Sequence, residues 1–513
     1  MCRPTGEFMN NRTKSIKNLL YSTFGQIITI IFGLLLPRLW VVNYGSEVNG
    51  LLTSLGQFLV YLSLFEAGIG AATLQALYKP LSEDNWNSIN GILSATHLYY
   101  KKAGLWYFLG LIALSLIYPL IANSTLPYFL IAGTVFLSGI GNVTTFWFHG
   151  KYTFLLRAEG KSYILTNLVT IITVLNSIAK IVLIKLNVNI LVILSATFII
   201  QSIQLCYIMW YMRRYKKLDL HTAPDYASIS QKNSTLGHQI SSLIFSNTDV
   251  LILTIFFDLR VVSVYSMFKM IVTHLESILD IPFNSVSFAL GQLFFSDRKK
   301  FIRQIDIAES LNSAAYYAIF SVAYFLFVPF MRLYTKGVTD INYADPILAL
   351  LFVLTTLLNK SRAPMLNTIS YAGHFKATLP ASILESAINI VTSLIGVHFL
   401  GIYGVLLGTV AALLYRTNDI ILYTNRKILN RSALKTYTVY LIDIVVFVLL
   451  QFVFRILFDS LWIDSYPRFF FAGVICTGIS VAAAFGAQIL FFPDCRSTVH
   501  QFLRSMLRKL RRS

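Results

Sequence analysis

The chain has 513 residues, 56% of them hydrophobic and only 13% charged, yet its formal net charge is +19. Soluble domains carry about 25% charged residues, so too little polar material is present to clothe a water-exposed surface, and a mean hydropathy of +0.65 agrees. The basic excess would point to nucleic acid in a soluble protein. Here it falls mostly in short gaps between apolar runs, so no nucleic-acid partner is expected and membrane lipids with anionic headgroups are.

Apolar runs of membrane-spanning length follow one another from the N-terminus. They read as 19–41, 50–72, 103–123, 126–148, 163–184, 189–211, 236–257, 262–290, 308–331, 344–366, 377–400, 403–425, 436–458 and 468–492. Backbone in lipid must satisfy its own hydrogen bonds, so each run is expected to be a helix. Pro37, Pro119, Pro282 and Pro329 interrupt four of them, where kinks are expected. The fold class is therefore an all-α integral membrane protein with about fourteen transmembrane helices.

Lys and Arg fill every second gap. With the N-terminus inside, the inner segments hold 30 of them, and the outer gaps and their edges hold Lys185, Arg260, Lys336 and Arg468. Basic loops stay in the cytoplasm, which predicts both termini inside. The longest inner gap, 213–235, separates six spans from the remaining eight and reads as a linker between two bundles. The expected organisation is a cytoplasmic segment 1–18, an N-terminal six-helix bundle 19–212, the linker 213–235, a C-terminal six-helix bundle 236–425, two additional helices in 426–492, and a basic cytoplasmic tail 493–513. The segment Trp86 to Lys102 and the tail are expected to lie along the inner headgroups. No cleavable signal peptide is expected, and Met9 is an alternative start to Met1.

Function classes fall away by motif. The sequence holds no phosphate-binding P-loop, no dinucleotide fingerprint, no HExxH and no GxSxG, and every soluble segment is too short for a nucleotide-binding domain. The four cysteines, Cys2, Cys206, Cys476 and Cys495, have no zinc or disulfide spacing. No catalytic residue, metal site or cofactor is expected, and the chain does not read as an enzyme. The outer gaps are too short to carry a reaction centre.

What remains is charge inside the spans, which is costly and marks cavities or partners. Lys180, Arg332, Arg455, Lys360 and Arg362 lie near span ends, where snorkelling to the headgroups accounts for them. Asp249 on the seventh span and Lys269, Glu276 and Asp280 on the eighth lie deeper. Lys269 and Glu276 are seven residues apart and share a face. Arg416 and Asp419 can pair within one helix, with Glu385 a second partner for Arg416, and structural pairing is the expected role of Glu66. Arg38 either snorkels or joins Lys269 in a cationic cavity suited to a lipid phosphate. Asn49, Ser54, Gln57 and Tyr61 make a polar stripe that is either helix–helix glue or the lining of a route for sugars.

The segment YGSEVNGLLTSLGQFLVYLSLFEAGIGAATLQALYKPL from Tyr44 resembles the start of bacterial polysaccharide flippases (Wzx-type, O-antigen and capsule repeat-unit transporters) of the MOP exporter superfamily. SNTDVLILTIFF around Asp249 and LGIYGVLLGT from Leu400 are similar to further family segments. The resemblance implies two pseudo-symmetric six-helix bundles, often with two extra C-terminal helices, around a cavity lined by the first, second, seventh and eighth helices. It implies translocation of undecaprenyl-diphosphate-linked oligosaccharide across the bacterial cytoplasmic membrane by alternating access, for surface polysaccharide synthesis. On this reading Arg38 and Lys269 attract the diphosphate, Gln57 and Tyr61 face the sugar, and Asp249 or Glu276 carries an ion-coupled or balancing charge. Polysaccharide polymerase or export machinery is a possible partner. A lipid II flippase or a drug/ion antiporter of the same superfamily is the alternative; an integral glycosyltransferase or polymerase is disfavoured by the missing outer domain.

Overall fold

The computed structural model describes residues 11–66, 69–214, 218–229, 233–458 and 463–497. Most of the basic tail, and so the expectation that it lies along the headgroups, falls outside them. Among the described residues there are helices and no strands. Thirteen of those helices are long and apolar enough to cross a membrane, and a shorter apolar helix, Ile240–Phe256, occupies the place of the seventh expected span.

The chain divides into two compact units. The first takes the described residues up to Leu243 together with Leu253–Ser263; the second takes Ile244–Ile252 and the described residues from Val264 onward. The first unit contains α1 (Asn11–Tyr44), α2 (Ser46–Leu62), α3 (Ile69–Ser82), α4 (Trp86–Ile121), α5 (Tyr128–Thr144), α6 (Gly150–Ala158), α7 (Ser162–Lys185) and α8 (Ile190–Met212). Helices α9 (Asn233–Phe256) and α10 (Leu259–Ser296) contribute to both units. The second unit continues with α11 (Arg298–Tyr334), α12 (Pro346–Ser361), α13 (Ala363–Tyr371), α14 (Phe375–Leu400), α15 (Ile402–Tyr423), α16 (Leu434–Phe458) and α17 (Tyr466–Phe491).

The expected interfacial segment at Trp86 to Lys102 is corrected. It is the first half of α4, a continuous helix of 36 residues and so about 54 Å long, well beyond a hydrocarbon core of about 30 Å. Ile89, Ile92, Leu93 and Ala95 are buried there, where α3 packs on the helix and the linker docks on its end. The Asp219 N–H donates to Asn90 Oδ1 (3.2 Å) and the Asp225 N–H to the Gly91 carbonyl (3.0 Å). Gly91 permits the approach, since a Cβ there would lie 3.2 Å from the Ala223 carbonyl.

Small residues set the closest helix contacts, as expected where apolar side chains gain nothing by leaving lipid. A Cβ on Gly50 of α2 would lie 1.8 Å from the Leu259 carbonyl. In the second unit a Cβ on Gly404 would lie 1.9 Å from the Gly396 carbonyl, and one on Gly408 would strike Ser393. The segment LGIYGVLLGT is therefore a packing motif. Gly401 turns the chain at φ 60° between α14 and α15, and Gly404 and Gly408 let those helices close on each other. The four prolines flagged in the sequence all lie inside helices, where each removes one backbone donor.

Candidate functional site

The second unit holds one set of buried and half-buried charges on α9, α10, α14 and α15 and at the end of α12. Asp249, 4% exposed, lies in the stretch of α9 assigned to this unit. Tyr265 OH donates to its Oδ2 (2.8 Å), and Thr409 Oγ1 lies 3.0 and 3.2 Å from its two oxygens. Asn389 Nδ2 donates to Thr409 Oγ1 (2.9 Å), while Asn389 Oδ1 is buried with no hydrogen-bond partner. The tight α14–α15 packing brings Asn389 and Thr409 together, and Ser393 Oγ, donating to the Val405 carbonyl (3.0 Å), ties the same pair of helices. Lys269 is the charged neighbour of Asp249. Its Nζ donates to the Ser246 carbonyl (2.6 Å) and lies 5.8 Å from the centre of the Tyr265 ring. A buried carboxylate thus meets a phenol and a hydroxyl, with an ammonium as its charged neighbour.

A second cluster lies further along α10. Lys360 Nζ is 2.7 Å from Asp280 Oδ2 and 3.5 Å from Glu276 Oε2. Tyr316 OH donates to Asp280 Oδ1 (2.6 Å). Glu276 therefore faces Lys360, and of the two charges expected on one face of α10, Lys269 turns to Asp249. Arg362 Nη1 pairs with Glu385 Oε1 (2.7 Å), Arg416 Nε stands 3.5 Å from the other Glu385 oxygen, and Arg416 also pairs with Asp419. The pairings of Arg416 with Asp419 and Glu385 are those the spacing suggested. The snorkelling expected of Lys360 and Arg362 is corrected: both point to interior carboxylates, and Arg362 is buried. Proximity to a span end was a poor guide because acids on α10 and α14 lie at the same height.

Other buried acids were not singled out in the sequence. Asp306 takes Arg431 and Lys435, and Glu309 takes Thr436 (3.3 Å), Tyr440 (3.3 Å) and Arg431 (3.6 Å). Asp443, wholly buried, accepts from Ser313 and from Gln488 Nε2 (2.8 Å). They tie α11 to α16 and α17. Asp443 was detectable as a lone acid in the span 436–458. Arg431 lies outside the spans, and burial draws its guanidinium down to about 10.

In the first unit the polar stripe of α2 divides. Asn49 Nδ2 donates to Ser263 Oγ (2.8 Å), Ser54 Oγ shares a proton with Thr254 Oγ1 (2.6 Å), and Tyr118 OH donates to Ser54 Oγ (2.9 Å). Those two residues are helix–helix glue. Gln57 is different: its Oε1 is buried and has no hydrogen-bond partner among the described residues. Tyr61, one turn on, and Arg38, directly after Pro37 in α1, are half-buried. Arg38 belongs to the first unit and Lys269 to the second. Glu66 accepts from Tyr100 OH. Glu47, unflagged in the sequence, takes Ser124 Oγ (2.7 Å), the Thr125 N–H (2.5 Å) and Thr125 Oγ1 (2.7 Å), with Arg260 at 4.0 Å.

No group of three or more His, Cys, Asp or Glu side chains able to hold a metal occurs among the described residues. No family model and no curated protein matches the sequence. Solved structures do match its fold. A lipid II flippase, MurJ, in an inward closed conformation aligns over 92% of this chain and 100% of its own, at 14% identity and a TM-score of 0.64. An inward-facing multidrug resistance MATE transporter of the MOP superfamily aligns over 78% of this chain and 94% of its own, at 16% identity and a TM-score of 0.59. An outward-facing MATE structure aligns over 82% and 97%, at 14% identity and a TM-score of 0.52. The chain shares the all-helical fold of these MOP-superfamily proteins.

Proposed function

We propose that the protein is a flippase that moves undecaprenyl-diphosphate-linked oligosaccharide repeat units across the bacterial cytoplasmic membrane for surface polysaccharide synthesis. It has fourteen spans with both ends inside, and its two bundles rock in alternating access about a midplane site. The observation that carries this reading is the likeness to a lipid II flippase over 92% of the chain, against 78% and 82% for the two multidrug transporter structures. The 30 Lys/Arg of the inner segments support the orientation. Phosphatase fused after Asn123 should be active and after Lys217 inactive; the reverse would overturn the topology.

Arg38 and Lys269 attract the diphosphate, because Arg and Lys bind phosphate through charge-assisted hydrogen bonds. Gln57, whose carbonyl has no partner to give up, and Tyr61 meet sugar hydroxyls. Glu276 balances charge through Lys360. Asp249 is the ion-coupled carboxylate: its oxygens and Thr409 Oγ1, which lies 3.0 and 3.2 Å from them, suit a small hard cation such as sodium. Lys269 is the charged neighbour of that carboxylate, so a cation neutralising Asp249 weakens its attraction for the ammonium and favours the diphosphate. Replacing Asp249 with Asn should remove any sodium dependence of transport; dependence that persists would reassign the coupling.

A second reading, lipid II flipping, is favoured by the identity of that same structural neighbour. Depletion in the host separates the two. Cells that keep growing but lose surface polysaccharide fit the repeat-unit reading, whereas lysis with accumulated lipid II would move the assignment.

A further inference from the structure

The first unit holds a polar cleft that the transport reading does not use. It lies between α1 and the first half of α7, with a volume of about 330 Å³, and Arg157 at the end of α6 is part of its wall. Gln26, Ser162, Thr166 and Thr173 line it as well. None of these four side chains, nor the Arg157 guanidinium, makes a hydrogen bond with a described residue. Two other hydroxyls of the lining are already satisfied, Thr29 Oγ1 by the Gly25 carbonyl (2.9 Å) and Thr170 Oγ1 by the Thr166 carbonyl (2.9 Å). Gly25 keeps the helices close at the cleft, since a Cβ there would lie 2.7 Å from Thr170 Oγ1.

The charge balance of the cleft is one-sided. Among the described residues no carboxylate lines it. The acid that feels Arg157 is Glu66, which already accepts the Tyr100 hydroxyl and forms no ion pair with Arg157. The helices that make the cleft also present exposed Ile27 and Ile31 on α1 and exposed Val169 and Ile171 on α7, a surface fit for hydrocarbon chains. A forked cation, an amide and two hydroxyls beside exposed apolar flanks match one chemistry: a phosphate carried on a lipid. Guanidinium and hydroxyl donors complement phosphate oxygens, and an acyl or prenyl chain would cover the isoleucines and Val169.

We infer that this cleft is a lipid-phosphate site, in which Arg157 grips the headgroup and Gln26, Ser162 and Thr166 supply the remaining donors. In the proposed topology it opens toward the inner leaflet, and only that detail rests on the transport reading. The occupant is either an anionic phospholipid or a polyprenyl phosphate, which share the recognised group.

Native mass spectrometry of the detergent-purified full chain tests this without any transport assay, so its failure is separable from failure of the flippase reading. The probes are phosphatidylglycerol, undecaprenyl phosphate and, as the phosphate-free control, diacylglycerol. Wild type should retain at least one phosphate lipid over diacylglycerol. Arg157→Gln should cut that retention about tenfold, the loss of one charge-assisted contact. Arg157→Lys should restore part of it, and Thr166→Val should lower it by a smaller factor at unchanged melting temperature. Sensitivity to Arg157→Gln for one phosphate lipid and not the other names the source. Equal retention of both phosphate lipids by wild type and Arg157→Gln, or retention of diacylglycerol at the same level as the phosphate lipids, would overturn the assignment.

Discussion

Beyond Glu47 at its start, which stands 4.0 Å from Arg260, α2 of the first unit meets its neighbours through neutral buried contacts: Asn49 with Ser263, and Ser54 with Thr254 and Tyr118. The corresponding interior of the second unit is ionic: Asp249 beside Lys269, Glu276 and Asp280 with Lys360, and Glu385 between Arg362 and Arg416. The two solutions differ in what a change costs. A neutral interhelical hydrogen bond in lipid is worth about 0.6 kcal/mol, because the separated helices find other partners. Breaking a buried ion pair strands a charge and costs about 3–5 kcal/mol. The first unit can therefore be altered gently, while each ionic contact of the second is either structural or held ready for use.

The largest effect that would sharpen this contrast is functional. Lys269→Ala should abolish surface polysaccharide at normal protein level, because Asp249 keeps Tyr265 and Thr409 as partners; normal polysaccharide would remove Lys269 from the mechanism. Next comes Arg362→Ala. It leaves Glu385 with Arg416 alone at 3.5 Å and should destabilise the protein by about 3 kcal/mol, seen as a lower melting temperature in detergent. A melt unchanged from wild type would show that the pair is not holding α12 to α14.

Gln57→Ala ranks third. Its Oε1 has no partner to lose, so the melting temperature should not move, while flipping should fall by about fivefold for one lost sugar contact. A lowered melt with unchanged flipping would return Gln57 to the glue. Smallest is Ser54→Ala, which should cost about 0.6–1.7 kcal/mol and leave transport intact. A larger loss than that of Arg362→Ala would invert the comparison.

Much of this was legible in the sequence, for identifiable reasons. Span positions follow from apolar length, and Asp249 stood out because an acid in mid-span has no bland explanation. Arg416 and Asp419 were legible because both lie on one helix, three residues apart. Lys360 and Arg362 were not: their partners, Asp280 and Glu385, lie on other helices, and only the rotation of α10 and α14 brings those acids to them. The same holds for the stripe on α2. Its spacing put Asn49, Ser54, Gln57 and Tyr61 on roughly one face, but which of them meet a neighbouring helix depends on where Ser263 and Thr254 fall. The family-like segment at Leu400 was legible as a pattern, and its cause, glycines that let α14 and α15 touch, needed coordinates.

The most direct measurement is flipping by purified protein in proteoliposomes, loaded with a defined undecaprenyl-diphosphate-linked repeat unit on one leaflet and read by its loss of accessibility to an external glycan-modifying enzyme. The account predicts that wild type moves the repeat unit and that Lys269→Ala does not. Lipid II moved in its place, or transport equal in wild type and Lys269→Ala, would contradict it.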